Sequence, residues 1–499
     1  MCGRMSLWWG KSQPNIRGNG PTAGFVISYE CVTVVPRPSP VWLPLGRVTW
    51  VFGFQVHRYQ SYPHDILREE CLRPAVQRGY NAVRATRERG VLMSARRIFG
   101  RFGTSIPHLA KNLALTLGGS ALLITSFAVA AQGTAQASQP KVWKIGLEGP
   151  ITGSQSDVGI GMLKGAQLAA QEINAAGGVL GRQVQIIPID DAADPTVGVS
   201  AADAAIQAGL DGVVGPYNSG VGLQTLPLFI KDKLVPIRLT SSTSTEGYGV
   251  TLQPMNDQIS PIAVQALTTW QKNTSVAIVY DNSTAYTQGA DTSLVAGLEG
   301  AGVTVSANIP IIPSTSNDPG VIQAAVTEAL ASHPTGVYAD LYYPEGALVA
   351  DDMTKAPAGT NCLADYASAS VGYVTVAGIP AVQNCPVLGV PAPADFAGSA
   401  PYVSAFEAMF DSAPGLWSPY TFDSVNLLVQ SAVKAHNFQQ VPLARVLYST
   451  KNFMGWTGSA TILSPSGDRT PSTVTVDTSD ASGTLHVDLD WAIAVGYTP

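Results

Sequence analysis

The chain has 499 residues, 45% apolar and 13% charged, with a formal net charge of −6. Such a composition supports two or three folded domains and excludes global disorder. The charge is split: residues 1–92 carry twelve Lys/Arg against five Asp/Glu, and residues 138–499 carry thirteen against thirty. A body so poor in cations argues against nucleic acid, whose phosphates need clustered Lys and Arg.

Residues 1–92 scatter Pro, Arg, Trp and Gly without a helix or strand rhythm. They read as a non-functional or disordered extension ahead of the working protein. From Met93 the pattern changes. Arg96, Arg97, Arg101 and Lys111 form a positive region without an acid, Leu113 to Ala131 is apolar, and Ala135-Gln136-Ala137 has the small-x-small cleavage form. Residues 93–137 are therefore expected to be a signal peptide starting at Met93. Gly118-Gly119-Ser120 leaves the apolar run too short for a spanning helix, which needs roughly 20 residues. Arg96-Arg97-Ile98-Phe99 partly resembles a twin-arginine signal, so either export route is open.

The body opens with a short apolar run, Trp143 to Leu147, broken by Gly149-Pro150 and Thr152-Gly153-Ser154. Met162, Leu163, Ala166, Ala169, Ala170 and Ile173 then recur at helical spacing until Gly177-Gly178. Strand, glycine-rich loop and helix begin a parallel α/β sheet, and the loop at the carboxyl end of such a strand lines the functional cleft. Val184 to Asp190 is the next strand. Asp194-Pro195 after it reads as a helix cap with proline in the first turn, in preference to a metal ligand set.

Gly212 to Gly215 and Leu234 to Leu239 read as further strands. The first meets Pro216-Tyr217-Asn218-Ser219-Gly220 and a helix from Val221 to Lys233, and the second ends in Thr240-Ser241-Ser242-Thr243-Ser244-Thr245. Two hydroxyl-bearing junctions on one sheet edge, one at a helix start, suggest a carboxylate pocket. After a break at Pro254 to Ser260, a second alternating series runs from a helix at Pro261 to Lys272 to short strands near Leu363 and Val387. Tyr286 and Tyr342 follow strands of this series and are expected to form the opposite, aromatic wall. Helices resume at Tyr402 to Phe410 and Phe422 to Ala435, and the tail Thr473 to Tyr497 reads as strand-like.

Cys362 and Cys385 are the only cysteines of the body, and in an exported protein a single pair reads as one disulfide. Gly159-Ile160-Gly161 with Gly165 places its third glycine one residue late for a dinucleotide fingerprint. There is no Gly-x-Ser-x-Gly elbow or Walker motif, and His333, His436 and His486 are isolated. The expectation is a protein that binds and does not catalyse, with neither cofactor nor metal.

Pro150-Ile151-Thr152-Gly153 and the helix end Glu172 through Gly181 (E-I-N-x-x-G-G-x-x-G) resemble the branched-chain amino acid type of periplasmic binding protein. The resemblance extends through Asp190 to Pro195, Gly215 to Ser219, Ala277 to Asp281 with Tyr286, and Phe422 to Val425. It implies an α/β fold of two Rossmann-like lobes joined by three crossovers, the periplasmic binding protein-like I architecture. The lobes would be 141–257 with 388–470, and 258–387 with 471–499. It further implies a monomer that binds a small polar or carboxylated solute, amino acid or amide-like, for ABC permease subunits. A sensor of the same fold is the alternative, and an α/β hydrolase a more distant one.

By position, the resemblance makes Ser219, Ser241 and Thr243, with the adjoining Ser242, the carboxylate binders, and Tyr286 and Tyr342 the facing aromatics. The family's amino-group-binding Glu has its counterpart at Ala367, leaving Asp365 or Asp340 to supply that charge. The cysteines of the family's frequent first-lobe disulfide are replaced by Ala193 and Asn218.

Overall fold

The computed structural model describes residues 37–42, 48–53, 141–312 and 318–497, in two units, Met1–Ala130 and Ala131–Pro499. In the first unit the described residues form an antiparallel hairpin, β1 (Arg37–Trp42) with β2 (Val48–Gly53). No strand rhythm was expected there. Each strand has six residues, too few for a periodicity to stand out. The expected signal peptide at 93–137 lies outside the described residues.

The second unit begins with alternating strands and helices: β3 (Trp143–Gly149), α1 (Ser156–Ala175), β4 (Val184–Asp190), α2 (Pro195–Gln207), β5 (Gly212–Val214), α3 (Ser219–Lys231), β6 (Pro236–Arg238) and β7 (Val250–Thr251). The strands pair in parallel in the order β4-β3-β5-β6-β7. Local chemistry sets these boundaries. Asp194 caps α2, its Oδ1 accepting from the N–H groups of Thr196 (2.6 Å) and Val197 (3.2 Å), with Pro195 in the first turn. α1 ends just ahead of Gly177 and Gly178, whose φ values of +104° and +79° suit glycine.

A second series follows: α4 (Asn256–Gln265), β8 (Ser275–Asp281), α5 (Ala285–Gly300), β9 (Thr304–Ile311), α6 (Pro319–Ala331), β10 (Gly336–Asp340), α7 (Glu345–Met353), β11 (Asn361–Ala364), α8 (Val371–Ala377), α9 (Ile379–Asn384) and β12 (Val387–Gly389). The break expected from Pro254 to Ser260 is shorter, because α4 starts at Asn256 and carries Pro261 in its second turn. Gln258 turns back to accept from the Met255 N–H at 3.2 Å, closing that helix end.

The chain then returns to the first sheet. After α10 (Ala400–Phe410), α11 (Ser418–Ala435) packs on α1, where Thr421 Oγ1 donates to the Met162 carbonyl at 2.8 Å. α12 (Gln440–Leu447) and a small antiparallel sheet of β13 (Phe453–Gly455), β14 (Gly458–Ile462) and β15 (Arg469–Thr470) follow. Arg238 of β6 locks this segment down, with Nη2 2.5 Å from Asp468 Oδ1 in a buried ion pair. Finally β16 (Thr475–Ser479) and β17 (Leu485–Val487) add antiparallel strands to the second sheet, whose order is β17-β16-β12-β11-β10-β8-β9. The tail closes in a helix, α13 (Leu489–Val495), which the strand-like reading missed. It is seven residues long, with Leu489 and Ile493 exposed, and so shows little apolar periodicity.

Both sheets are buried under their helices, as parallel sheets require. Val276 to Val279, Val337 and Leu363 are fully buried in the second sheet, and Ile145, Leu147 and Val214 in the first. Cys362 of β11 and Cys385 ahead of β12 form a disulfide. Among the described residues, no helix is long and apolar enough to cross a membrane.

Candidate functional site

The carboxyl ends of both sheets converge on a narrow void. Tyr217, Ser219, Ser241 and Gln253 line it from the first sheet, and Tyr286, Tyr342, Tyr366 and Ala367 from the second. Its volume of ≈ 10 Å³ leaves room for about one water molecule. Beside it, sharing Tyr342, a wider mouth of ≈ 440 Å³ includes Gly153 to Gln155, Ala192 to Pro195, Asp281 and Glu345. Thus the loop after β3 lines the mouth.

The first wall is built by the turn after β5. Gly215 has φ +101°, and a Cβ there would lie 2.1 Å from the Glu148 carbonyl, so only glycine lets this turn pass β3. The chain then carries Tyr217 and Ser219 into the gap. Ser219 is 1% exposed, and its Oγ accepts from the Ser242 N–H at 3.1 Å. Asn218 precedes α3 without a side-chain cap bond; its Nδ2 donates instead to Gln155 Oε1 at 3.0 Å. Ser241 Oγ accepts from Gln253 Nε2 at 2.8 Å.

The second wall is aromatic. The Tyr286 and Tyr342 rings meet edge-on at 5.6 Å, and Tyr342 meets Tyr217 of the facing lobe at 6.4 Å. Trp417 backs both walls, 5.4 Å from Tyr217 and 5.1 Å from Tyr366. Burial pushes the phenols of Tyr217, Tyr286, Tyr342 and Tyr366 above their ordinary values, so all four stay neutral.

The residues singled out in the sequence divide. Ser219, Ser241, Tyr286 and Tyr342 line the void. Ser242 stands behind them, giving its N–H to Ser219 and placing its Oγ 3.5 Å from the Ala285 carbonyl across the gap. Thr243 is exposed and opens a short turn, Thr243–Thr245, that carries it away from the void. Asp365 is 1% exposed but does not line the void. Its Oδ1 accepts from Tyr338 at 2.6 Å, and its Oδ2 from Tyr286 at 2.8 Å and the Ala367 N–H at 2.9 Å. Burial raises its pKa against those three bonds. Asp340 is also buried beneath the wall, and burial followed by the Asp365 charge pushes its carboxyl well up. Sequence reasoning missed Tyr217, Gln253 and Tyr366 as lining residues. Tyr217 and Tyr366 adjoin positions it weighed, whereas Gln253 follows a two-residue strand too short to read.

The lobes touch beside the void through Asp157 of α1, whose Oδ2 accepts from the Ser370 hydroxyl and, at 3.2 Å, from the Gly372 N–H. Among the described residues, no group of three or more acidic, His or Cys side chains is placed to hold a metal ion.

Two largely parallel α/β sheets facing each other across one polar, aromatic-walled void define the bilobal type I binding-protein architecture. The description "Periplasmic binding protein" matches residues 142–475, and the chain belongs to that family. It is 32% identical over 214 residues to the Leu/Ile/Val-binding protein BraC3 of Rhizobium johnstonii, covering 42% of this chain and 57% of that relative's length. The branched-chain amino acid transporter substrate-binding protein LivJ of Streptococcus pneumoniae, solved with isoleucine, superposes with a TM-score of 0.62 at 20% identity, covering 70% of this chain and 99% of that one. A solute-binding protein of an ABC transporter from Rhodopseudomonas palustris, solved with 3,4-dihydroxy benzoic acid, gives 0.61 at 16% identity, covering 69% and 96%.

Proposed function

We propose that the protein is the extracytoplasmic solute-binding component of an ABC importer, which closes over a small carboxylated or polar solute and presents it to membrane permease subunits. One observation carries this reading: serine hydroxyls from one lobe and tyrosines from the other line a single buried void. Family membership supports it, as does a relative named for binding Leu, Ile and Val. A closed form that needs contacts from both lobes gives a population shift driven by the solute. The working protein is a periplasmic or extracellular monomer exported by its signal segment, and it binds without catalysing a reaction. Its lobes are built on the two sheets, so the boundaries expected at 257/258 and 387/388 move to the ends of the elements they cut, α4 (Asn256–Gln265) and β12 (Val387–Gly389).

A thermal-shift screen of amino acids, amides, urea-like molecules and aromatic acids tests this, because a solute bound only by the folded chain raises the melting temperature. At least one class should raise it, and Ser219→Ala should reduce that rise. A flat response to every class would refute the proposal.

A further inference from the structure

The two serine hydroxyls on the first wall each accept one hydrogen bond from the protein. Ser219 Oγ accepts from Ser242, and Ser241 Oγ accepts from Gln253. Each therefore has its hydrogen left to donate. On the opposite wall the Tyr366 hydroxyl is buried without a partner, the residue being 1% exposed. α3 also begins beside the void, at Ser219, and such an end attracts negative charge.

Acceptors are scarce by comparison. On the lining of the void the unpartnered acceptor is Gln253 Oε1, a neutral amide oxygen; Asn218 Oδ1 at the mouth and the two Asp340 oxygens behind the second wall are also without partners. Asp365, the carboxylate bonded to the second wall, is fully engaged by Tyr286, Tyr338 and the Ala367 N–H. Ala367 itself presents only a methyl group to the void. An ammonium placed here loses its water and finds no carboxylate oxygen on the lining, Asp365 and Asp340 lying behind the second wall, whereas a carboxylate meets several converging donors. The edge-on rings of Tyr217, Tyr286 and Tyr342 form flat apolar surfaces for whatever the carboxylate carries.

We infer that the solute is a carboxylate on an apolar, preferably planar, tail without an α-ammonium group: a monocarboxylic acid and not an amino acid. The inference rests on the solute-binding reading and narrows it. The void in its closed form holds about one water, so the solute enters with the rims parted and the Asp157 contacts to Ser370 and Gly372 broken. Asp281 and Glu345 line the outer mouth and not the void.

Calorimetric titration of the full chain with matched pairs decides the matter. The unaltered protein should bind 3-phenylpropanoate and 4-methylpentanoate at least about tenfold tighter than phenylalanine and leucine, and benzoate about tenfold tighter than benzamide. Tyr366→Phe should weaken the carboxylates about fivefold or more with no loss of melting temperature, because it removes an unpartnered hydroxyl. Ala367→Glu should shift the preference toward the amino acids; if that variant does not fold, the pairs on the unaltered protein decide alone. Amino acids that bind as tightly as their des-amino partners overturn the inference, and loss of that binding in Glu345→Gln would place the ammonium at the mouth. If a neutral amide binds while no carboxylate does, the inference fails and the solute-binding reading stands. If nothing binds, both fail.

Discussion

Asp191→Asn should flatten the pH dependence of stability. Asp191 follows β4 with no exposed surface; its Oδ1 accepts from the Ala193 N–H at 2.8 Å, and its Oδ2 has no partner. Burial raises its pKa from 3.8 to about 7 against that one bond, with the Asp190 charge adding to the rise. Glu148 lies beside it, pushed well above its ordinary value by burial and then by the Asp191 charge, with Oε1 unpartnered. The folded chain therefore holds protons that the unfolded chain has released. Stability is fullest below the unfolded pKa and falls as pH rises toward the folded one. A rise from 3.8 to about 7 is worth roughly 4 kcal/mol in total, of which about 2–3 kcal/mol is lost between about pH 5 and pH 8. Asparagine keeps the bond to Ala193, brings no charge, and places an amide donor beside Glu148. Urea melts of parent and variant near pH 5 and near pH 8 measure the difference directly. The parent should lose about 2–3 kcal/mol more than the variant over that interval. An equal loss in both would show that Asp191 ionises as freely in the folded chain as in the unfolded one.

Other substitutions test the packing. A Cβ on Gly165 would stand 2.1 Å from the Ser418 carbonyl, so Gly165→Ala must force α1 and α11 apart at about 1–3 kcal/mol or more in a urea melt. Gly161→Ala on the same helix meets nothing nearer than 3.8 Å and should stabilise by up to about 1 kcal/mol. Asp468→Ala strands the buried Arg238 guanidinium and should cost about 3–5 kcal/mol, with Asp468→Asn milder because an acceptor remains. Cys362→Ser with Cys385→Ser opens a loop of sequence separation 23 and should cost about 3 kcal/mol in non-reducing denaturation, with no difference from the reduced parent.

What could be read from the sequence was what local chemistry decides. The strand, loop and helix at Trp143 to Ala175 and the Asp194 cap depend on neighbours within a few residues, and both stand as expected. Ser219 was legible because it starts a helix directly after a buried strand. Thr243 was not, because a turn of three residues decides whether it faces the void or the solvent. The fate of Asp365 depends on Tyr338, which is 27 residues away and brought alongside only by the parallel pairing of β10 and β11. α8, α9 and the sheet of β13 to β15 also went unread, being short elements stabilised by tertiary contacts more than by their own periodicity.

The central claim is that one solute is gripped from both sides, and affinity measured with one wall altered at a time tests it most directly. Ser219→Ala removes a donor from the first lobe, and Tyr342→Ala removes a ring from the second. Each should weaken the best solute found by screening about tenfold or more in calorimetry, because a hydrogen bond to a charged group is worth about 1.5–3 kcal/mol and an aromatic contact a similar amount. Unchanged affinity in either variant, with the fold intact, would contradict the account.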